Sequence, residues 1–137
     1  MDQTKVMVCF SLFGDDFPVG YVTDKLKIQP TNSHRKGDII PNRSTTLYRK
    51  ETCWEYGTEY EETEDVNDQL QKIMEQLQNK SLYIHELKKA YSLDCKFFIV
   101  IKIEAGETPA LYLSKEFIKF ASIVEAEIDF DLYANPF

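Results

Sequence analysis

Two spacings of apolar residues alternate along the chain and set out its elements. Residues 5–13 (KVMVCFSLF) are apolar on both faces of a two-residue period, which predicts a strand central in a sheet. Gly14-Asp15-Asp16 then turns the chain; Asp16 is placed to cap a short helix and Pro18 to occupy its first turn. Val19, Val22 and Leu26 form that helix's stripe, and Pro30 ends the segment. Residues 30–44 are rich in Pro, Asn, Ser and Gly and read as a loop. Beyond it, 45–50 and 52–60 alternate Thr46/Tyr48 and Trp54/Tyr56 with polar residues, which predicts two strands joined near Glu51 as a hairpin or bulged pair.

The helical period is strongest over 66–79, where Val66, Leu70, Ile73, Met74 and Leu77 share one face behind the capping residue Asp65. Ser81 is placed to cap a second helix over 82–91, with Leu87 and Tyr91 inward. Residues 96–104 (KFFIVIKIE) predict a central strand. Ser114 precedes a helix over 115–124 with Phe117, Ile118, Ala121 and Val124 inward. A final strand over 126–133 alternates Ile128, Phe130 and Leu132 with Glu127, Asp129 and Asp131. The order β-α-β-β-α-α-β-α-β, with strand-turn-helix halves at 5–28 and 96–124, predicts one α+β domain over residues 1–137. Its sheet is mainly antiparallel with helices on one face, in a ferredoxin-like βαβ(β)αβ sandwich.

Composition narrows the function classes. Three cysteines, Cys9, Cys53 and Cys95, stand far apart with no paired or Cys/His ligand spacing, which argues for reduced thiols rather than disulfides or zinc. No basic leader precedes the first apolar stretch, and no apolar run approaches the roughly 20 residues of a membrane span. A bacterial cytoplasmic location is expected. The formal net charge of −7 disfavours nucleic acid and anionic membranes as partners and suits a basic protein.

Leu26-Lys27-Ile28-Gln29-Pro30-Thr31, then Arg35-Lys36-Gly37-Asp38, Trp54 opening a strand, the Leu113-Ser114 helix start and the closing Ile128-Asp129-Phe130-Asp131-Leu132-Tyr133 carry a family likeness. Together they resemble an uncharacterised bacterial family, domain of unknown function 4279, over nearly the whole chain. The resemblance implies a compact α+β domain and assigns no catalytic residue. Small bacterial families of this kind include immunity proteins that neutralise toxins.

Three groups of charged residues stand out. Glu127, Asp129 and Asp131 share one face of a strand at about 6.8 Å intervals, too far apart for a calcium site. They read either as a solvated strand face or as a surface for a basic partner. Glu55, Glu59, Glu61, Glu62, Glu64, Asp65 and Asp68 put seven carboxylates in fourteen residues, interleaved with Tyr56 and Tyr60. That run is a solvated approach to a helix N-terminus or a Tyr-bearing grip for a basic protein. His34, Arg35, Lys36, Arg43, Arg49 and Lys50 make a basic loop, which would either pair with the acidic run or hold an anion.

No cofactor, metal or catalytic set is expected. Trp54 reads as a core anchor, or as the wall of an anion pocket with His34, Arg35, Lys36 and Arg43. His34 and His85 have no nucleophile motif beside them, although a reactive Cys53 stays open. The expected function is a non-catalytic interaction module, an immunity-type inhibitor binding a basic toxin domain through Glu55, Tyr56, Glu59, Tyr60, Glu61, Glu62, Glu64, Glu127, Asp129 and Asp131. A small anionic-ligand sensor is the alternative.

Overall fold

A computed structural model describes residues 3–135. The elements are β1 (Lys5–Gly14), α1 (Val19–Leu26), β2 (Asn32–His34), β3 (Thr52–Gly57), β4 (Glu61–Glu62), α2 (Val66–Leu77), α3 (Ser81–Tyr91), β5 (Asp94–Glu104), α4 (Lys115–Ile123) and β6 (Glu127–Asn135). The fold is α+β, with the strands forming one sheet in the order β2-β3-β1-β5-β6 and β4 pairing with β1. Every pairing is antiparallel except β5 with β6.

Alternation along the strands decides which face is covered. Val6, Val8, Phe10 and Leu12 of β1, Trp54 of β3, and Phe97, Ile99 and Ile101 of β5 point inward. They join one core with the buried residues of all four helices. Phe97 packs tilted against Phe10 at 5.0 Å and edge-on to Phe117 at 4.8 Å between centroids, tying two strands to α4. Trp54 is fully buried there, its indole N–H donating to the Thr23 hydroxyl at 3.0 Å. The opposite, outer face carries Cys9, Ser11, Cys53 and Val100, none of which belongs to the helix-covered core.

The helix ends follow their capping chemistry, with two corrections. Asp65 accepts from the Asn67 N–H at 2.9 Å, and Ser114 accepts from the Phe117 N–H at 3.2 Å. Asp16 does not cap α1: the helix begins after Pro18 without a side-chain cap, and the Asp16 carboxylate accepts from Arg35 and Thr52 instead. Ser81 is the first residue of α3 rather than its cap. In α4, Phe120 takes the inward place expected of Ile118, which is 52% exposed.

The segment 45–50 is not a strand. Gly37 N–H donates to Arg49 O, Arg49 N–H to Asp38 O and Ile40 N–H to Leu47 O, so 37–49 folds back on itself. β3 pairs instead with β2 and β1, and no hairpin forms at Glu51. The ferredoxin-like strand order is likewise not the one seen. A split βαβ unit leaves room for a strand between its two parallel strands, whereas β5 and β6 are direct neighbours. β1 and β3, the longer strands on either side of α1 in the chain, are antiparallel neighbours.

Candidate functional site

The register resolves the outer face into rows that cross the sheet. Asn32, Glu55, Ser11, Lys96 and Glu127 form one row; Gly57, Cys9, Phe98 and Asp129 form the next. Met7, Val100 and Asp131 follow, and then Glu62, Lys5, Lys102 and Tyr133. Lys96, Lys5 and Lys102, together with small and apolar side chains, occupy the middle of this face, while carboxylates stand on both flanks.

Within the acidic run, the structure divides residues that sequence places together. Glu55 is half-buried and accepts from the thiols of Cys53 at 3.3 Å and Cys9 at 3.5 Å. Tyr56 lies on the inner side and packs against the core. Neither belongs to an exposed acidic surface. Glu59, Glu61, Glu62 and Glu64 are exposed beyond the end of β3, together with Tyr60. Lys72 pairs with Glu61 and holds its carboxyl below the usual range. Lys102 Nζ sits 3.8 Å from the centre of the Tyr60 ring.

A buried residue anchors this exposed segment. The Gln69 amide donates to Val6 O at 3.4 Å, to Glu59 O at 3.3 Å and to the Thr58 hydroxyl at 3.5 Å. Its position three residues after Val66 is an inward one on α2, a signal present in the helical period but masked by its polar type.

A second partner arrives from far along the chain. Ala105 and Gly106 both have positive φ, 51° and 71°, and Glu107 N–H donates back to Glu104 O at 3.0 Å. This tight turn after β5 reverses the chain. The Thr4 hydroxyl donates to Glu107 O and accepts from Glu104 N–H. Ala110 then bonds to the backbone on both sides of Asp65: its N–H donates to Glu64 O, and its carbonyl accepts from Val66 N–H. Together these contacts enclose an open cleft of about 530 Å³ lined by Gln3, Thr4, Glu62, Thr63, Glu64, Glu107, Thr108 and Pro109. It presents three carboxylates and three hydroxyls and has no Lys or Arg in its lining. Glu107 is the member that sequence reading missed, because only the turn at Ala105-Gly106 brings it to the acidic run.

Glu127, Asp129 and Asp131 lie on the same outer face but at its far edge, separated from Glu62 by Lys5 and Lys102. Lys96 bridges to Asp129 at 3.2 Å and Glu127 at 3.9 Å. Among the described residues Asp131 has no ion-pair partner.

The basic loop pairs with the β1–α1 turn, not with the acidic run. Arg35 meets Asp16 at 3.1 Å, and Lys36 meets Asp15 at 2.5 Å. The Arg35 guanidinium lowers the Asp16 pKa, and the Asp15 carboxylate raises that of Lys36. His34, partly buried on β2 opposite Cys53, has its pKa lowered by burial and then by Arg49. Arg43 is exposed on the 37–49 excursion. Trp54, fully buried on the inner side, offers no wall to a pocket beside this loop.

The thiols are shielded. Burial first, and the Glu55 charge second, push Cys9 far up. Burial lifts Cys53 to about 12 against a smaller opposing effect of the Ser11 hydroxyl, and burial also raises Cys95. A thiol needs its ionised form to act as a nucleophile, so Cys53 is not activated in this setting. Among the described residues no group of three or more His, Cys, Asp or Glu converges to hold a metal ion, and no helix is long and apolar enough to cross a membrane.

A family model described as "Domain of unknown function (DUF4279)" matches residues 3–135, and the chain belongs to that family. No curated protein and no solved structure matches it.

Proposed function

From this membership and geometry we propose that the protein is a non-catalytic interaction module that binds a basic protein partner at the acidic cleft between the β4–α2 segment and the turn after β5. The observation that carries this reading is the cleft formed by Glu62, Glu64 and Glu107. Its three carboxylates can accept hydrogen bonds from an Arg or Lys side chain. Tyr60, 40% exposed, held beside Lys102 and two residues before Glu62 in the chain, offers an aromatic contact. The net charge of −7 supports attraction of a basic surface before contact.

A toxin domain neutralised by this protein would be a partner of the required chemistry. Affinity capture with the intact protein, followed by identification of the retained protein, tests the reading. The expected partner is basic at the contact surface, and its association rate falls at least about tenfold between low and high salt. Glu62→Lys/Glu64→Lys should weaken the complex about tenfold or more while leaving the fold intact. A recovered complex indifferent to both salt and that double substitution overturns the proposal. Co-expression of a captured toxin with this chain then reads neutralisation directly, as restored growth.

A further inference from the structure

We infer that the free edge of β6 is a docking site for an extended protein segment with Lys or Arg at alternate positions and apolar residues between them. This goes beyond the cleft and stands without it. The sheet has two very different edges. At one, β2 is only three residues long, Asn32–His34, and the chain then folds away into the 37–49 excursion. At the other, β6 runs for nine residues, Glu127–Asn135, and pairs only with β5 among the described residues. An edge strand presents alternate N–H and C=O groups outward, so this one offers an unfilled ladder several residues long.

The two sides of β6 specify what chemistry fits that ladder. On the outer side stand Glu127, Asp129 and Asp131. Lys96 serves the first two, and Asp131 remains without an ion pair among the described residues. On the inner side, Phe130 is 41% exposed and Leu132 is 57% exposed, in register with the buried Ile99 and Ile101 of β5. The core therefore continues outward as an apolar shelf. A strand laid alongside would place every second side chain opposite a carboxylate and the others over Phe130 and Leu132. Basic residues at the first set of positions form opposite-charge cross-strand pairs, and apolar residues at the second extend the core. A second copy of β6 is the wrong occupant: antiparallel pairing centred on the acidic stretch sets carboxylate against carboxylate, which is unfavourable.

The test uses the intact protein and nine-residue peptides. One alternates Lys and Val, a second has the same composition in scrambled order, and a third is the alternating peptide with N-methyl groups on one backbone edge. The alternating peptide should slow hydrogen exchange at every second amide of β6 at least about tenfold, the signature of new ladder bonds. The scrambled and N-methylated peptides should not. Asp129→Lys/Asp131→Lys should weaken binding about three- to tenfold, as two attractive cross-strand pairs become repulsive. Glu62→Lys/Glu64→Lys should leave the β6 protection pattern unchanged, which separates this site from the cleft. Equal response to all three peptides, protection absent from β6 despite binding, or no binding at millimolar peptide overturns the inference.

Discussion

The carboxylate of Glu55 stands between two buried thiols, accepting from both Cys9 and Cys53, while Ser11 and Cys53 lie 3.1 Å apart. Ionising either thiol there puts a second negative charge beside Glu55 in a poorly solvated place. The unfolded chain feels no such penalty, and its thiols lose their protons near pH 9. Above that point the folded state holds more protons than the unfolded one. The stability associated with the buried thiols is therefore complete below about pH 9 and falls as pH climbs toward the folded Cys53 value of about 12. Urea midpoints measured from pH 8 to 10.5 should decline for the native protein and decline less steeply for Cys53→Ala. A thiol reagent at pH 8 should modify Cys9, Cys53 and Cys95 quickly only after urea unfolds the chain. Rapid modification of the folded protein would show that the cluster opens without global unfolding.

At the level of elements, the helices differ in how their first turns are held. Ser114 bonds the Phe117 amide across the start of α4, whereas α3 starts at Ser81 with no side-chain cap. Ser114→Ala should therefore cost about 1 kcal/mol in urea unfolding, and Ser81→Ala less than about 0.5 kcal/mol. Both serines stand directly before an apolar-periodic run, so sequence alone gives them the same role. Local period was enough to read β1, α2, β5, α4 and β6, because each buries a stripe that its own spacing defines. It was not enough for 45–50, whose alternation of Thr46 and Tyr48 resembles a strand although its backbone partners lie at 37–40. Nor did it show Ile118 exposed and Phe120 buried, a choice made by where α4 sits over Phe97. The acidic run was legible as charge. Its division into the inward-packed Tyr56, the thiol-bonded Glu55 and the cleft residues depends on strand register and on a turn some fifty residues later, neither of which is a local property.

For the molecule as a whole, the charge on β6 has a second effect besides attraction. A long edge with Phe130 and Leu132 exposed is a template for association between copies, and carboxylates along it oppose that. Glu127→Gln/Asp129→Asn/Asp131→Asn removes the repulsion without changing side-chain shape much. Sedimentation or light scattering should show this variant associating at concentrations where the native protein does so less; equal behaviour would assign the carboxylates no such role. A different consequence follows from the place of β1. It lies at the middle of the sheet, yet its longest partner, β5, comes after α1, β2, β3, β4, α2 and α3 in the chain. At ribosomal speeds the intervening stretch takes on the order of ten seconds to make. Through that interval the Val6, Val8, Phe10 and Leu12 side has only nascent helices to shelter it, and one of its two flanks has no strand at all. β1 is thus made well before the strand that completes its pairing, and a chaperone would meet its apolar side in that interval.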